Sequence, residues 1–296
     1  MRLCTFDAGA GPRAGVVRNR FLLDVHAADP GLPADLKELL ARPDGVARLA
    51  GLAESCADRS VLRRVDEVRL LPPVPTPGRY LDFMAFEGHV KASRARRDLP
   101  VPPEWYERPT YYNGNPYSFV GDGAEVAYPP GETQRDYEME LAVVVGRRVR
   151  DLDPADWQGA VAGYAILNDC SARARQFAAT PVGLGPAPGK DFATALGPWI
   201  VTPDECPDPA RITLAATVNG VEWSRGTFGQ ARFGWGEILA AATAGQELRP
   251  GDVVGSGTFP GGSAYEQGKS LSPGDMVAMT MSYEGRGLGT LRTVAR

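Results

Sequence analysis

The chain has 296 residues, 43% hydrophobic and 23% charged, which leaves room for one large domain or for a small domain joined to a larger one. Its 32 Lys and Arg against 36 Asp and Glu give a net charge of −4, so the basic excess that phosphate-backbone binding requires is missing and nucleic acid is excluded as an expected partner. The 35 glycines and 26 prolines disfavour a helical bundle and favour short strands joined by tight turns.

The first ten residues, MRLCTFDAGA, show no apolar run before a small-residue cleavage site. No stretch approaches the roughly 18 apolar residues of a membrane span. Cys4, Cys56, Cys170 and Cys206 are scattered without a CxxC pair, so the expectation is a cytoplasmic protein with four reduced thiols and no membrane partner. Residues 2–6, 14–17 and 19–25 read as short strands, the last ending in Leu-Leu-Asp-Val-His26. Helices follow at 33–40 and 44–53, with leucines at 36, 39 and 40 and apolar residues at 46, 49 and 52. A strand over 65–71 then runs into the proline-rich seam at 72–78, which marks the predicted boundary between a small N-terminal α/β domain (1–72) and a catalytic domain (73–296).

Beyond the seam the pattern is mostly strand and turn. Strands are predicted at 138–145, 159–167, 199–202, 212–218, 252–257 and 275–283, several of them bounded by Asn-Gly or Pro-Gly-Asp turns. Helices are predicted at 86–97, 171–178 and 235–244. The fold class is α+β and rich in strand.

Three groups of residues suggest chemistry. Glu138 and Glu140 stand two apart at the start of a strand, so both carboxylates point to one face. Such a pair suits an oxygen-seeking divalent ion; most such pairs are a solvated strand edge, and the apolar run that follows directly is what adds weight to the ion. Asp169 closes the next apolar strand, where it serves either as a helix N-cap or as a third carboxylate ligand. His89, seven residues after Asp82, lies on the predicted 86–97 helix and is the better general-base candidate, since His26 sits in the N-terminal segment.

Taken in order, Asp82…His89, Glu138-x-Glu140, Asn168-Asp169-x-Ser171-Ala172-Arg173-x-x-Gln176, Gly189-Lys190-x-Phe192-x-Thr194 and Gly257-Thr258 resemble the fumarylacetoacetate hydrolase family over residues 73–296. The resemblance implies a mixed β-sandwich roll around a metal ion, and a homodimer. It implies metal carboxylates at Asp82, Glu138, Glu140 and Asp169, holding Mg²⁺ with Mn²⁺ or Ca²⁺ as alternatives. It implies a base at His89 paired with Glu266, oxyanion donors at Arg173, Gln176 and Lys190, and substrate contacts at Tyr112 and Thr258. The implied reaction is hydrolysis of a carbon–carbon bond in a β-diketo acid such as an acylpyruvate, with an enolate leaving group held by the metal and water activated by the histidine.

The sequence departs from the family at Ala174, Arg175 and Asp191, around the implied substrate pocket. Arg173, Arg175 and Lys190 together argue for an anionic substrate, which the resemblance implies is a small oxo-acid. The decarboxylase branch carries a glutamate three residues after the histidine; here that position is Ala92, which favours hydrolysis. An isomerase, hydratase or decarboxylase of a 2-oxo or 2-hydroxy-dienoic acid is the alternative within the family. Outside enzymatic metal chemistry stand a non-catalytic binding protein on the same fold and a metal-free hydrolase using Cys170.

Overall fold

Met139–Val145 is a strand buried along its whole length, and the reason lies in what covers its two faces. Leu141, Val143 and Val145 pack into one core with Ile212, Leu214, Met279 and Met281 of a second sheet. Ala142 and Val144 face the opposite way, into a core shared with Leu3, Leu36 and Leu39. With both faces covered, the run after Glu140 is apolar at every position instead of alternating. Truncating a fully buried leucine such as Leu141 typically costs about 2–5 kcal/mol, so the strand that carries Glu140 is firmly held.

The computed structural model describes residues 1–183 and 185–296. Among these, one sheet of 12 strands runs from the N-terminal strands Leu62–Arg64, Phe21–Asp24, Pro12–Arg18 and Arg2–Asp7 through Thr194–Val201, Val161–Asp169, Met139–Val145, Val253–Gly255, Tyr80–Phe83 and Tyr111–Asn113. Leu70–Leu71 and Phe119–Val120 pair off this path. A five-stranded sheet, Val221–Thr227, Ile212–Val218, Met276–Tyr283, Arg286–Ala295 and Ala124–Val126, packs across the larger core. The N-terminal strands join the large sheet by antiparallel pairing of Arg2 and Leu3 with Val201 and Ile200. The architecture is the strand-rich α+β arrangement that the glycine and proline content predicts.

Several elements differ from the sequence reading for local reasons. The strand predicted to include His26 ends at Asp24, whose carboxylate accepts from the Ala27 backbone N–H and starts the short helix Val25–Ala28, so His26 is helical. The strand predicted over 65–71 shrinks to Leu70–Leu71, preceded by a 3₁₀ turn at Val65–Glu67. Among the strands not predicted, the two longest are Val221–Thr227 and Arg286–Ala295, whose polar and glycine residues leave one face toward solvent and blur the apolar alternation. No helix among the described residues is long and apolar enough to cross a membrane.

Candidate active site

Strand register gathers the carboxylates. Asp82 lies opposite Gly255 in the parallel pair Tyr80–Phe83 and Val253–Gly255. Gly255 in turn lies opposite Ala142 of the strand that carries Glu140. Asp82 and Glu140 therefore sit on strands that flank a glycine, and the missing side chain is what lets them meet. A methyl group at position 255 would collide with Asp82 Oδ1 and lie 3.0 Å from Glu140 Oε2. On the other flank Met139 pairs with Asn168, which puts Asp169 diagonally across from Glu140 on the same face. Ligand oxygens of Asp82, Glu140 and Asp169 come within 4.8 Å of one another, all buried.

Burial drives the electrostatics of this triad. It holds the Asp82 and Glu140 carboxyls well above the usual carboxylate range, with the Asp169 charge adding to Asp82 and those of Asp82 and Asp169 adding to Glu140. Burial also raises Asp169, against the pull of Lys190. Glu140 accepts from the Gly257 N–H at 3.0 Å and the Thr258 hydroxyl at 3.3 Å, and Asp169 Oδ2 accepts from the Tyr112 hydroxyl at 2.8 Å. Asp82 Oδ1 and Asp169 Oδ1 are buried with no hydrogen-bond partner. Clustered, desolvated carboxylates with orphaned oxygens fit a hard divalent cation, for which an all-oxygen donor set is the usual coordination.

Glu138 stands beside the triad and has a different environment. Its Oε1 accepts from Arg173 Nη2 at 2.6 Å, and its Oε2 takes the Lys190 ammonium. Burial would raise its carboxyl, but Arg173, Lys190 and His89 outweigh it and hold Glu138 well below the carboxylate range. The Lys190 ammonium bridges Glu138 and Asp169 and donates to the Ser171 hydroxyl at 2.7 Å. Burial would lower that ammonium, and the two carboxylates reverse the effect. Arg173 also donates through Nε and Nη2 to Asp136 and through Nη1 to the Gln176 amide oxygen at 2.9 Å.

His89 comes from the helix Glu87–Ala95, which lies close against the 257–262 loop; a side chain at Gly88 would meet the Pro260 ring at 2.9 Å. His89 Nδ1 is 3.0 Å from Glu266 Oε2, close but poorly aligned for a hydrogen bond, and its Nε2 is 3.8 Å from Glu138 Oε1. Glu266 is itself fixed, accepting from Gly261 N–H and the Ser263 hydroxyl, both at 3.0 Å. His89, Arg173, Gln176, Lys190, Tyr112, Thr258, Glu138 and the triad all line one cleft of about 570 Å³.

Other readings change. Asp169 is not a helix cap: the helix Arg173–Ala179 has Ala172 at its N-cap position, and buried Glu132 accepts from its first-turn N–H groups instead. Arg175 does not join Arg173 and Lys190; it is exposed and donates to the Pro130 carbonyl outside the cleft. Cys170 is buried with its thiol pushed up by desolvation, unsuited to a nucleophile. The sequence reading missed Asp136, Arg94 and Arg97. Asp136 had a signal, since it stands two residues before Glu138 and so shares its strand face.

The sequence profile of the fumarylacetoacetate (FAA) hydrolase C-terminal domain matches residues 79–295. The chain belongs to the fumarylacetoacetate hydrolase family. Among its family relatives, it is 31% identical to human oxaloacetate tautomerase FAHD2A, mitochondrial, over 274 residues, covering 90% of this chain and 83% of that protein. Its fold is also that of maleylpyruvate hydrolase from Sphingobium sp. SYK-6, solved with manganese(II) and pyruvate, at 24% identity and TM-score 0.75 over 100% of this chain and 98% of the other. A 2-hydroxyhepta-2,4-diene-1,7-dioate isomerase from Mycobacterium marinum shares that fold at 22% identity and TM-score 0.72, covering 100% of this chain and 98% of the other. The relative is named a tautomerase, and the two solved structures that share the fold are named a hydrolase and an isomerase.

Proposed function

We propose that this protein is a divalent-metal-dependent enzyme that hydrolyses a carbon–carbon bond in a small β-diketo acid of the acylpyruvate class. The observation that carries the reading is that His89, backed by Glu266, lines the same cleft as the Asp82, Glu140 and Asp169 triad. The triad would hold Mg²⁺, or Mn²⁺ or Ca²⁺ in its place, with Glu138 beside it as the partner of Arg173 and Lys190. A divalent ion there supplies Lewis-acid polarisation of a substrate carbonyl.

The chain's own groups divide the rest of the work. His89, with Nδ1 toward Glu266, takes a proton at Nε2 from a water molecule that attacks the carbonyl. Positioned base catalysis of this kind is typically worth about 10²–10⁴ in rate. Arg173 and Gln176 face the cleft as hydrogen-bond donors for the oxyanion that develops, each such donor being worth about 10²–10³ in turnover in well-studied sites, and Lys190, whose ammonium serves Glu138, Asp169 and Ser171, adds its charge. Tyr112 and Thr258 fix the triad through Asp169 and Glu140 and border the substrate space. A homodimer in the cytoplasm is the setting we propose.

A second reading has one specific support, the 31% identity to an oxaloacetate tautomerase over 90% of the chain. In that case His89 moves a proton between carbon and the enol without water attack. Manganese-loaded protein given acetylpyruvate separates the two. Hydrolysis consumes one water and yields acetate and pyruvate in equal amounts. Enol-to-keto conversion of oxaloacetate without acetylpyruvate cleavage selects the tautomerase, and absence of both reactions overturns the reading.

A further inference from the structure

The helix that carries His89 has little packing of its own to hold it. Of Glu87–Ala95 only His89 and Val90 are buried, and a segment with so few buried contacts opens readily. Its first turn rests on Pro260, with the ring 2.9 Å from where a Cβ of Gly88 would stand. Its far end is held by Arg96, seven residues and about 10 Å beyond His89. The Arg96 guanidinium stands 5.0 Å from the centre of the Tyr265 ring. It crosses Gly268, which takes φ +70° and where a methyl group would lie 3.2 Å from Arg96 Nη1. Arg96 is exposed, and among the described residues no hydrogen bond or ion pair holds its side chain, so the ring is its anchor.

Tyr265 is fixed from the opposite side. The Arg173 guanidinium lies 5.3 Å from the centre of the same ring, and the Phe177 ring 5.1 Å from it. Arg173 keeps its place without these contacts, because Asp136, Glu138 and Gln176 take up its donors. The Tyr265 backbone N–H donates to Asp136 Oδ2 at 3.2 Å. Tyr265 also opens the 3₁₀ turn Tyr265–Gln267, so the residue after it is Glu266, whose carboxylate faces His89 Nδ1. That facing pair is poorly aligned as a hydrogen bond and does not fix its own geometry. We infer that Tyr265 is a positioning residue for His89: its ring, backed by Arg173 and Phe177, captures Arg96 and so sets how closely the histidine approaches Glu266. The force is the attraction of a cation for the face of an aromatic ring. The inference rests on the base role given to His89 above.

Y265F keeps the face of the ring and Y265L removes it. In whichever of acetylpyruvate cleavage and oxaloacetate enol-to-keto conversion the manganese-loaded protein catalyses, Y265L is expected to lower kcat about three- to fivefold, the scale of one exposed cation–ring contact. KM and manganese affinity are expected to stay at the wild-type values, and Y265F to restore kcat. R96Q is expected to lose as much as Y265L, and the double variant no more than either, since both remove one contact. In E266Q, where the carboxylate facing the histidine is already gone, Y265L is expected to cost less than in the wild type. A loss in Y265F equal to that in Y265L, additive losses in the R96Q double variant, or an undiminished cost in E266Q overturns the inference. Hydrogen exchange reads the same contact without turnover: the amides of residues 87–95 are expected to exchange faster in Y265L and R96Q and at the wild-type rate in Y265F. Wild-type protection in Y265L overturns the inference. A wild type that catalyses neither reaction sinks the proposed function alone, and the exchange rates then decide the contact.

Discussion

Asp136 and Arg173 are joined in the buried wall of the cleft, with Nε and Nη2 of the guanidinium both donating to Asp136 Oδ2, at 2.8 and 2.6 Å. The same carboxylate accepts from the backbone N–H groups of Ala264 and Tyr265, in the loop that carries Glu266. One side chain therefore ties the donor side of the cleft to the partner of His89, although it does not line the cleft.

Asp136→Asn keeps the shape of that junction and removes its charge. Breaking a buried ion pair from one side costs about 3–5 kcal/mol, because the remaining charge is stranded. Glu138 still pairs with Arg173, so the lower end is expected in denaturant unfolding. The kinetic signature expected of a positioning residue is a fall in kcat with little change in metal affinity. A variant as stable and active as the wild type would contradict this.

Metal binding is expected to tighten as pH rises. The Asp82 and Glu140 carboxyls are raised, so the metal-free protein carries protons there that a cation must displace. The sign for stability follows from the same shift. A carboxyl raised by folding contributes stability that is full below its unfolded value, near 4, and is lost as pH climbs through the folded value. Glu138 is shifted downward and is already ionised above its unfolded value, so it adds no slope between pH 6 and 8. The melting-temperature gap between manganese-loaded and chelator-treated protein should widen from pH 6 to pH 8; a constant gap counts against a cation at the triad.

Gly255→Ala tests the geometry that brings Asp82 and Glu140 together. The new methyl group meets Asp82 Oδ1 and Glu140 Oε2, and overpacking of this kind costs about 1–3 kcal/mol. Manganese affinity is expected to fall sharply in calorimetry while far-UV circular dichroism stays that of the wild type. Unchanged affinity would place the ion elsewhere.

How much of this was legible before folding depended on what each residue needed. Glu138 and Glu140 stand two apart, so their shared face could be read from spacing alone, whereas Asp169 needed the register of a second strand to be told from a helix cap. Whether Glu138 met a metal or a cation could not be read in this way, because Lys190 and Arg173 reach it from segments 52 and 35 residues away. Arg175 was miscounted for a reason visible in hindsight: two residues after Arg173 on a helix, it points to a different face. The 90, 93, 94 and 97 spacing gains meaning only once the helix Glu87–Ala95 is known to wall a cleft. Asp24 shows the opposite limit, a single capping carboxylate turning an apparent strand into a helix around His26.

Tyr112→Phe isolates the support of the triad from the triad itself. The phenol donates to Asp169 Oδ2 at 2.8 Å and makes no other polar contact with the carboxylates that is needed to explain their arrangement. Its loss leaves the ring, which meets Tyr80 edge-on at 6.3 Å, in place. Groups that orient a metal-binding carboxylate are typically worth about 10–100-fold in metal affinity. The variant is expected near the low end, because Lys190 still holds the same oxygen.

His89→Gln and Glu266→Gln separate base chemistry from assembly of the cleft. Neither residue belongs to the triad, so manganese affinity is expected to stay within about twofold of wild type in both. Turnover in His89→Gln should fall by about 10²–10⁴, the usual worth of a positioned base. Glu266→Gln is expected to fall less, since the amide oxygen still accepts from the Gly261 N–H while the charge beside Nδ1 disappears. A fall in kcat with manganese affinity and melting temperature unchanged would mean that Glu266 acts on the base through Nδ1, and an unchanged kcat would mean that it only holds the loop.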